Sequence, residues 1–104
     1  MNPPVFGYLR VREAAPDLEV RREEQQLARW AGTEGYRLVR VYREADEGGI
    51  AVLSELVDAL NRTGTRAVVM PSVRHLGVNR LLQDHLWAHL VDGARADVFE
   101  VSEG

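Results

Sequence analysis

The hydrophobic positions along the chain change period several times, and each change marks an element. Val5-Phe6-Gly7-Tyr8-Leu9-Arg10-Val11 is rich in β-branched and aromatic residues and predicts a strand buried on both faces near its start. From Asp17 to Thr33 the spacing becomes helical. Val20, Leu27 and Ala31 share one side with Trp30 beside them, while Glu19, Arg21, Arg22 and Gln25 lie around the rest. Pro16-Asp17 supplies the start of this helix and Gly35 its stop. Tyr36 to Tyr42 predicts a second strand. Glu44 to Gly49 follows as an acidic loop, whose Gly48-Gly49 pair can take backbone angles closed to other residues.

The clearest helical signal comes next, with Leu53, Leu56, Val57 and Leu60 at i, i+3, i+4 and i+7. Asn61 to Thr65 ends that helix. Ala67-Val68-Val69-Met70-Pro71 has the unbroken apolar character of a central parallel strand. Asn79 to Asp92 predicts a third helix with a core stripe of Leu82, Leu86 and Leu90 and a stop at Gly93, and Val98 to Val101 predicts the last strand. Strands alternating with helices at this spacing predict an α/β fold in three layers, a mostly parallel sheet of four or five strands with helices on both faces. Such sheets bind ligands at the carboxyl ends of their strands. Here those ends are Arg10 to Glu13, Glu44 to Gly49 and Ser72 to Gly77.

Composition narrows the classes. With 104 residues, 45% of them hydrophobic, residues 1–104 are expected to form one domain with its own core. The chain has no cysteine, which excludes a disulfide framework and any thiolate nucleophile or ligand. It carries no apolar run of membrane-span length and no basic region leading into an apolar stretch, so a cytoplasmic location is expected. A net charge of -3 argues against strong autonomous binding to nucleic acid. All 13 basic residues are arginine, which excludes lysine Schiff-base chemistry and a lysine-dependent phosphate loop. GC-rich codons also produce this bias. Gly48-Gly49 is too short for a dinucleotide fingerprint, and no cofactor is implied.

Four collinear segments resemble the catalytic domain of serine recombinases of the resolvase/invertase type. Gly7-Tyr8-Leu9-Arg10-Val11-Arg12 is similar to that family's Gly-Tyr-x-Arg-Val-Ser, and Leu27-Ala28-Arg29-Trp30-Ala31 with Gly35-Tyr36 to its first helix and the following strand. Val41-Tyr42-Arg43-Glu44-Ala45-Asp46-Glu47-Gly48-Gly49 follows Val-Tyr-x-Asp-x-x-x-Ser-Gly. Val68-Val69-Met70-Pro71-Ser72-Val73-Arg74-His75-Leu76-Gly77-Val78-Asn79 follows an apolar strand and Asp-Arg-Leu-Gly-Arg-Asn. The resemblance spans nearly the whole chain and implies the same fold.

Position by position, the resemblance places the nucleophilic serine on Arg12, the Asp-Arg pair on Arg74 and His75, the next arginine on Val78 and the loop serine on Gly48. A further arginine would fall at about Ile50, and only Arg10 clearly remains. Attack on a phosphodiester needs an oxygen nucleophile and guanidinium groups to stabilise the phosphoryl oxygens, and a guanidinium is no nucleophile. These substitutions lead to the expectation of a domain that is not an enzyme and acts as a protein-interaction or regulatory unit, as a homodimer or with a protein partner. A hydroxyl such as Ser54 or Ser72 poised beside Arg10 would reverse it. Two alternatives stay open: a DNA-binding or strand-exchange protein with residual activity, and a phosphate or nucleotide binder at the strand ends. The chain stops soon after its last strand, whereas the resemblance implies a long dimerisation helix and a DNA-binding segment beyond it; DNA binding is therefore expected to be weak or absent without another protein.

Within the strand-end cluster, Arg10, Arg12, Arg74 and His75 are candidate anion ligands. The competing expectation is an internal ion-pair network of Arg10, Arg12 and Arg74 with Glu44, Asp46 and Glu47. His75 can also be read as an acid or base, though the sequence names no partner for it. His85 and His89 lie four apart on one helix but lack a third metal ligand, so no metal site is assigned. The Arg21 to Gln26 run reads as a solvated face, and Trp87 and Val91 as either a partner surface or extra core cover.

Overall fold

The computed structural model describes residues 2–11, 14–45, 50–77 and 79–101. Four strands, β1 (Pro4–Val11), β2 (Arg37–Ala45), β3 (Ala67–Met70) and β4 (Asp97–Glu100), form one sheet in the order β2-β1-β3-β4, and every pairing is parallel. Parallel neighbours need long crossovers, and helices α1 (Asp17–Glu34), α2 (Ala51–Thr63) and α3 (Arg80–Ala88) lie between successive strands. The three-layer α/β fold expected from the alternation is the one observed.

Side chains of β1 alternate between two cores. Val5 and Leu9 pack with Leu27 and Ala31 of α1 and with Ala67 and Val69 of β3. Phe6 and Tyr8 face the other way, into Leu53, Leu56, Val57 and Leu60 of α2 and Leu86 and Leu90 of α3. Burial of each such leucine contributes about 1.5–3 kcal/mol, so the periodic positions both define the helices and dock them. Gly35, at φ 81°, ends α1 in the left-handed region, where a side chain would be strained.

The structure departs from the periodic reading in three places, each near the carboxyl edge of the sheet or α3. Strand β2 runs on to Ala45, because the β1 ladder continues through Arg10 opposite Glu44 and Val11 opposite Ala45. Glu44 is thus a strand residue rather than the first of a loop. A 3₁₀ turn, Val73–Leu76, follows β3, and the Ser72 hydroxyl at its head accepts from the Arg74 N–H at 3.3 Å. Helix α3 is regular only to Ala88 and widens into a π turn over His89–Gly93. Trp87 packs partly into the core, whereas Val91 is exposed. Among the described residues no helix is long and apolar enough to cross a membrane.

Candidate arginine-lined site at the carboxyl edge of the sheet

Arg10 ends the buried part of β1 and is only 8% exposed. A guanidinium at that depth must have its donors satisfied. Its Nε donates to the His75 carbonyl at 2.9 Å, and Nη2 to the Leu76 carbonyl at 3.1 Å and the Tyr8 hydroxyl at 3.3 Å. Arg10 therefore pins the 3₁₀ turn against the end of β1. The Tyr8 hydroxyl passes the contact on, donating to Glu44 Oε1 at 3.0 Å. Burial of Tyr8 holds its phenol protonated well above the ordinary range, with the nearby Arg10 charge opposing and Glu44 reinforcing the shift.

Glu44 is 3% exposed and is spent on a helix end. Its carboxylate accepts from the Val52 N–H at 3.1 Å and the Leu53 N–H at 3.0 Å, in the first turn of α2. No side chain at Ile50 caps that helix, so Glu44 supplies from β2 the acceptor the helix lacks locally. Of the expected ion-pair network, the described residues show the Glu44 and Arg10 ends, linked through the Tyr8 hydroxyl. Among the described residues exposed Arg74 makes no ion pair. Arg12, Asp46 and Glu47, the other members of that network, lie outside the described residues, as do Gly48 and Val78.

His75, taken as an anion ligand or an acid-base group, has both ring nitrogens committed inside the fold. Nδ1 accepts from the Arg10 backbone N–H at 2.9 Å, and Nε2 lies 3.3 Å from Glu23 Oε2 on α1. An acceptor at Nδ1 requires the neutral ring with its proton on Nε2. Burial, and then the Arg10 charge, lower the His75 pKa and favour that neutral form. His75 is a tie between β1, the 3₁₀ turn and α1.

Arg74 instead turns outward, beside an open cleft of about 570 Å³ lined by Arg10, Arg74, Gly77, Asn79, Arg80 and Gln83. Asn79 caps α3 by accepting from the Leu82 N–H at 2.9 Å, and Gln83 Nε2 donates to the Gly77 carbonyl at 3.0 Å. None of the described residues lining it is acidic. Sequence reasoning did not single out Arg80 or Gln83; the available signal was the Asn79 helix start, which puts Arg80 in a first turn beside the Ser72 to Gly77 strand end. A larger depression on the α1 side, about 620 Å³, mixes Asp17 and Glu44 with Arg21 and Arg43. Ser72 heads the 3₁₀ turn, half-buried, and Ser54 is exposed on α2. His85 and His89 are exposed on and just beyond α3, and no group of three metal-binding side chains occurs among the described residues.

This architecture is the fold of the serine recombinase catalytic domain. It is similar to the C-terminal catalytic domain of ISC1926 TnpA, an IS607-like serine recombinase, with TM-score 0.78 and 17% identity over 95% of this chain and 67% of that one. It is equally similar to the N-terminal catalytic domain of TP901-1 integrase, with TM-score 0.78 and 14% identity over 94% of this chain and 77% of that one. No protein-family model matches the chain, and no curated protein matches it. The resemblance read from the four segments thus holds at the level of fold. The expectation that the chain is not an enzyme is corrected: both of these structures are catalytic domains of serine recombinases, and substitutions at matched positions do not by themselves establish inactivity.

Proposed function

We propose that this chain works in DNA recombination as a serine-recombinase-type domain, meeting the phosphodiester backbone at the carboxyl edge of its sheet within an oligomeric assembly. The observation that carries the reading is the arginine-lined cleft between the 3₁₀ turn and α3, at the strand ends where parallel α/β sheets take ligands. Phosphate neutralisation by arginine gives sequence-independent affinity that falls steeply with salt. With a net charge of -3, such affinity has to come from a local patch rather than from the molecule as a whole. The test is fluorescence anisotropy of the full chain on a labelled duplex, followed by incubation with supercoiled plasmid. Salt-sensitive binding supports the reading, and its absence at low ionic strength sinks it. A covalent protein-DNA adduct, mapped by mass spectrometry, would identify an attacking hydroxyl.

A second reading, contact with a protein partner or a second copy as the main role, draws on Leu81. This side chain is 82% exposed in the first turn of α3, with Val91 exposed further along. Sedimentation velocity of the wild type and Leu81→Ser separates the two. A monomer at high concentration, with no partner recovered in a pull-down, removes the second.

A further inference from the structure

We propose that Arg74 and Arg80 are the pair of side chains that grip a backbone phosphate, with Arg10 behind them as a fixed charge; the inference rests on the DNA-binding reading above and names the residues that carry it. The three arginines on this cleft differ in what they have left to give. Arg10 is committed to carbonyl oxygens and the Tyr8 hydroxyl, so it contributes field rather than reach. Arg74 is exposed and makes no ion pair among the described residues. Arg80 meets Asp84 only at 3.9 Å, and the two side chains are 90% and 70% exposed, so that pair is screened and readily exchanged for a better anion.

The surroundings give the site a direction. Gly77 lies between the two arginines in sequence, and a Cβ there would stand 2.7 Å from Leu82 Cγ, so glycine lets the turn settle onto α3. Close seating brings the 3₁₀ turn with Arg74 and the first turn of α3 with Arg80 to one cleft. Across His75 the neighbouring pocket carries the carboxylates of Glu19 and Glu23 beside Arg10, whereas no described residue lining the α3-side cleft is acidic. The α3 side is thus the face that favours a phosphate. The cleft is wide and open, which suits a segment of polymer backbone better than an enclosed metabolite, and planar guanidinium groups match phosphate oxygens in paired hydrogen bonds.

Two measurements on the full chain decide this. In an amide NMR titration with inorganic phosphate, shifts should gather at Gly77, Asn79, Arg80 and Leu81; shifts gathered instead around Arg21 and Arg43 overturn the assignment, as does no shift at all. On a labelled duplex, Arg74→Ala and Arg80→Ala should each weaken binding at least about threefold and together roughly tenfold. Each should reduce the slope of log affinity against log salt by about 1. Arg62→Ala, at the far end of α2, serves as the control. If the two variants bind like Arg62→Ala while the wild type still binds DNA, the arginine assignment fails and the broader reading survives. If the wild type binds no DNA, the broader reading fails, and the phosphate titration still judges the cleft.

Discussion

Arg10 and His75 are joined twice: the backbone N–H of Arg10 donates to His75 Nδ1 at 2.9 Å, and Arg10 Nε donates to the His75 carbonyl at 2.9 Å. One residue thus satisfies the other with both main chain and side chain, and the end of β1 cannot move without the 3₁₀ turn. Replacing His75 by Ala leaves a part-buried N–H without its acceptor. Such an orphan costs about 1–3 kcal/mol, to be read as a lowered urea midpoint with an unchanged slope.

The same ring makes stability depend on pH. Because burial and Arg10 hold its pKa below the ordinary 6.5, the unfolded chain takes up a proton where the native chain does not. The contribution of the neutral ring is complete above pH 6.5 and is lost as pH falls from there toward the lowered native value. Thermal melts at pH 7.5 and at progressively lower pH should show the wild type losing more stability than His75→Gln. Equal loss in both would show that the ring is not the source.

Glu44 should behave as a structural carboxylate. Glu44→Ala removes the acceptor for the Tyr8 hydroxyl and for two first-turn amides of α2. A loss of about 2–4 kcal/mol is expected, from one buried hydrogen bond to a charged group plus the cap. Glu44→Gln, which keeps an acceptor oxygen, should lose less. Chemical denaturation of the two variants checks the order.

Gly77→Ala should destabilise by about 1–3 kcal/mol through overpacking against Leu82. The backbone there is extended, so the cost comes from the added methyl group alone. Combining it with Leu82→Ala should cost less than the sum of the two single changes. Strict additivity in the double-mutant cycle would show that the two groups do not meet.

Leu81 and Leu86, five residues apart on α3, should answer oppositely. Leu86 is 2% exposed and packs with the α2 core, so Leu86→Ala should cost about 2–5 kcal/mol. Leu81 is 82% exposed, so Leu81→Ser in the isolated chain should stay within about 0.5 kcal/mol. Thermal melts at low concentration read both.

What could be read from the sequence was what burial imposes directly. Leu53, Leu56, Val57 and Leu60 recur with the period of the surface they fill, and all four are buried; Val68 and Val69 lie in a strand covered on both faces and read as an unbroken apolar run. The carboxyl edge was less legible, because its polar groups find partners far along the chain. Glu44 looked like loop because an acidic residue in a strand is unusual, and its acceptance from Tyr8 spans 36 positions. His75 had no visible partner because Arg10 is 65 residues away and Glu23 lies on another helix. Arg80 lies one residue beyond the matched segment, and the cleft it lines is set by the packing of the turn on α3 rather than by the motif.

Glu44 also decides which helix end can receive a guest. With its carboxylate already seated on the opening amides of α2, that terminus is plugged by the protein's own negative charge, and a visiting oxyanion would have to evict a side chain anchored at three points. Trimming Glu44 should therefore do more than loosen α2: it should uncork a rival berth for phosphate on the β2 side of the molecule.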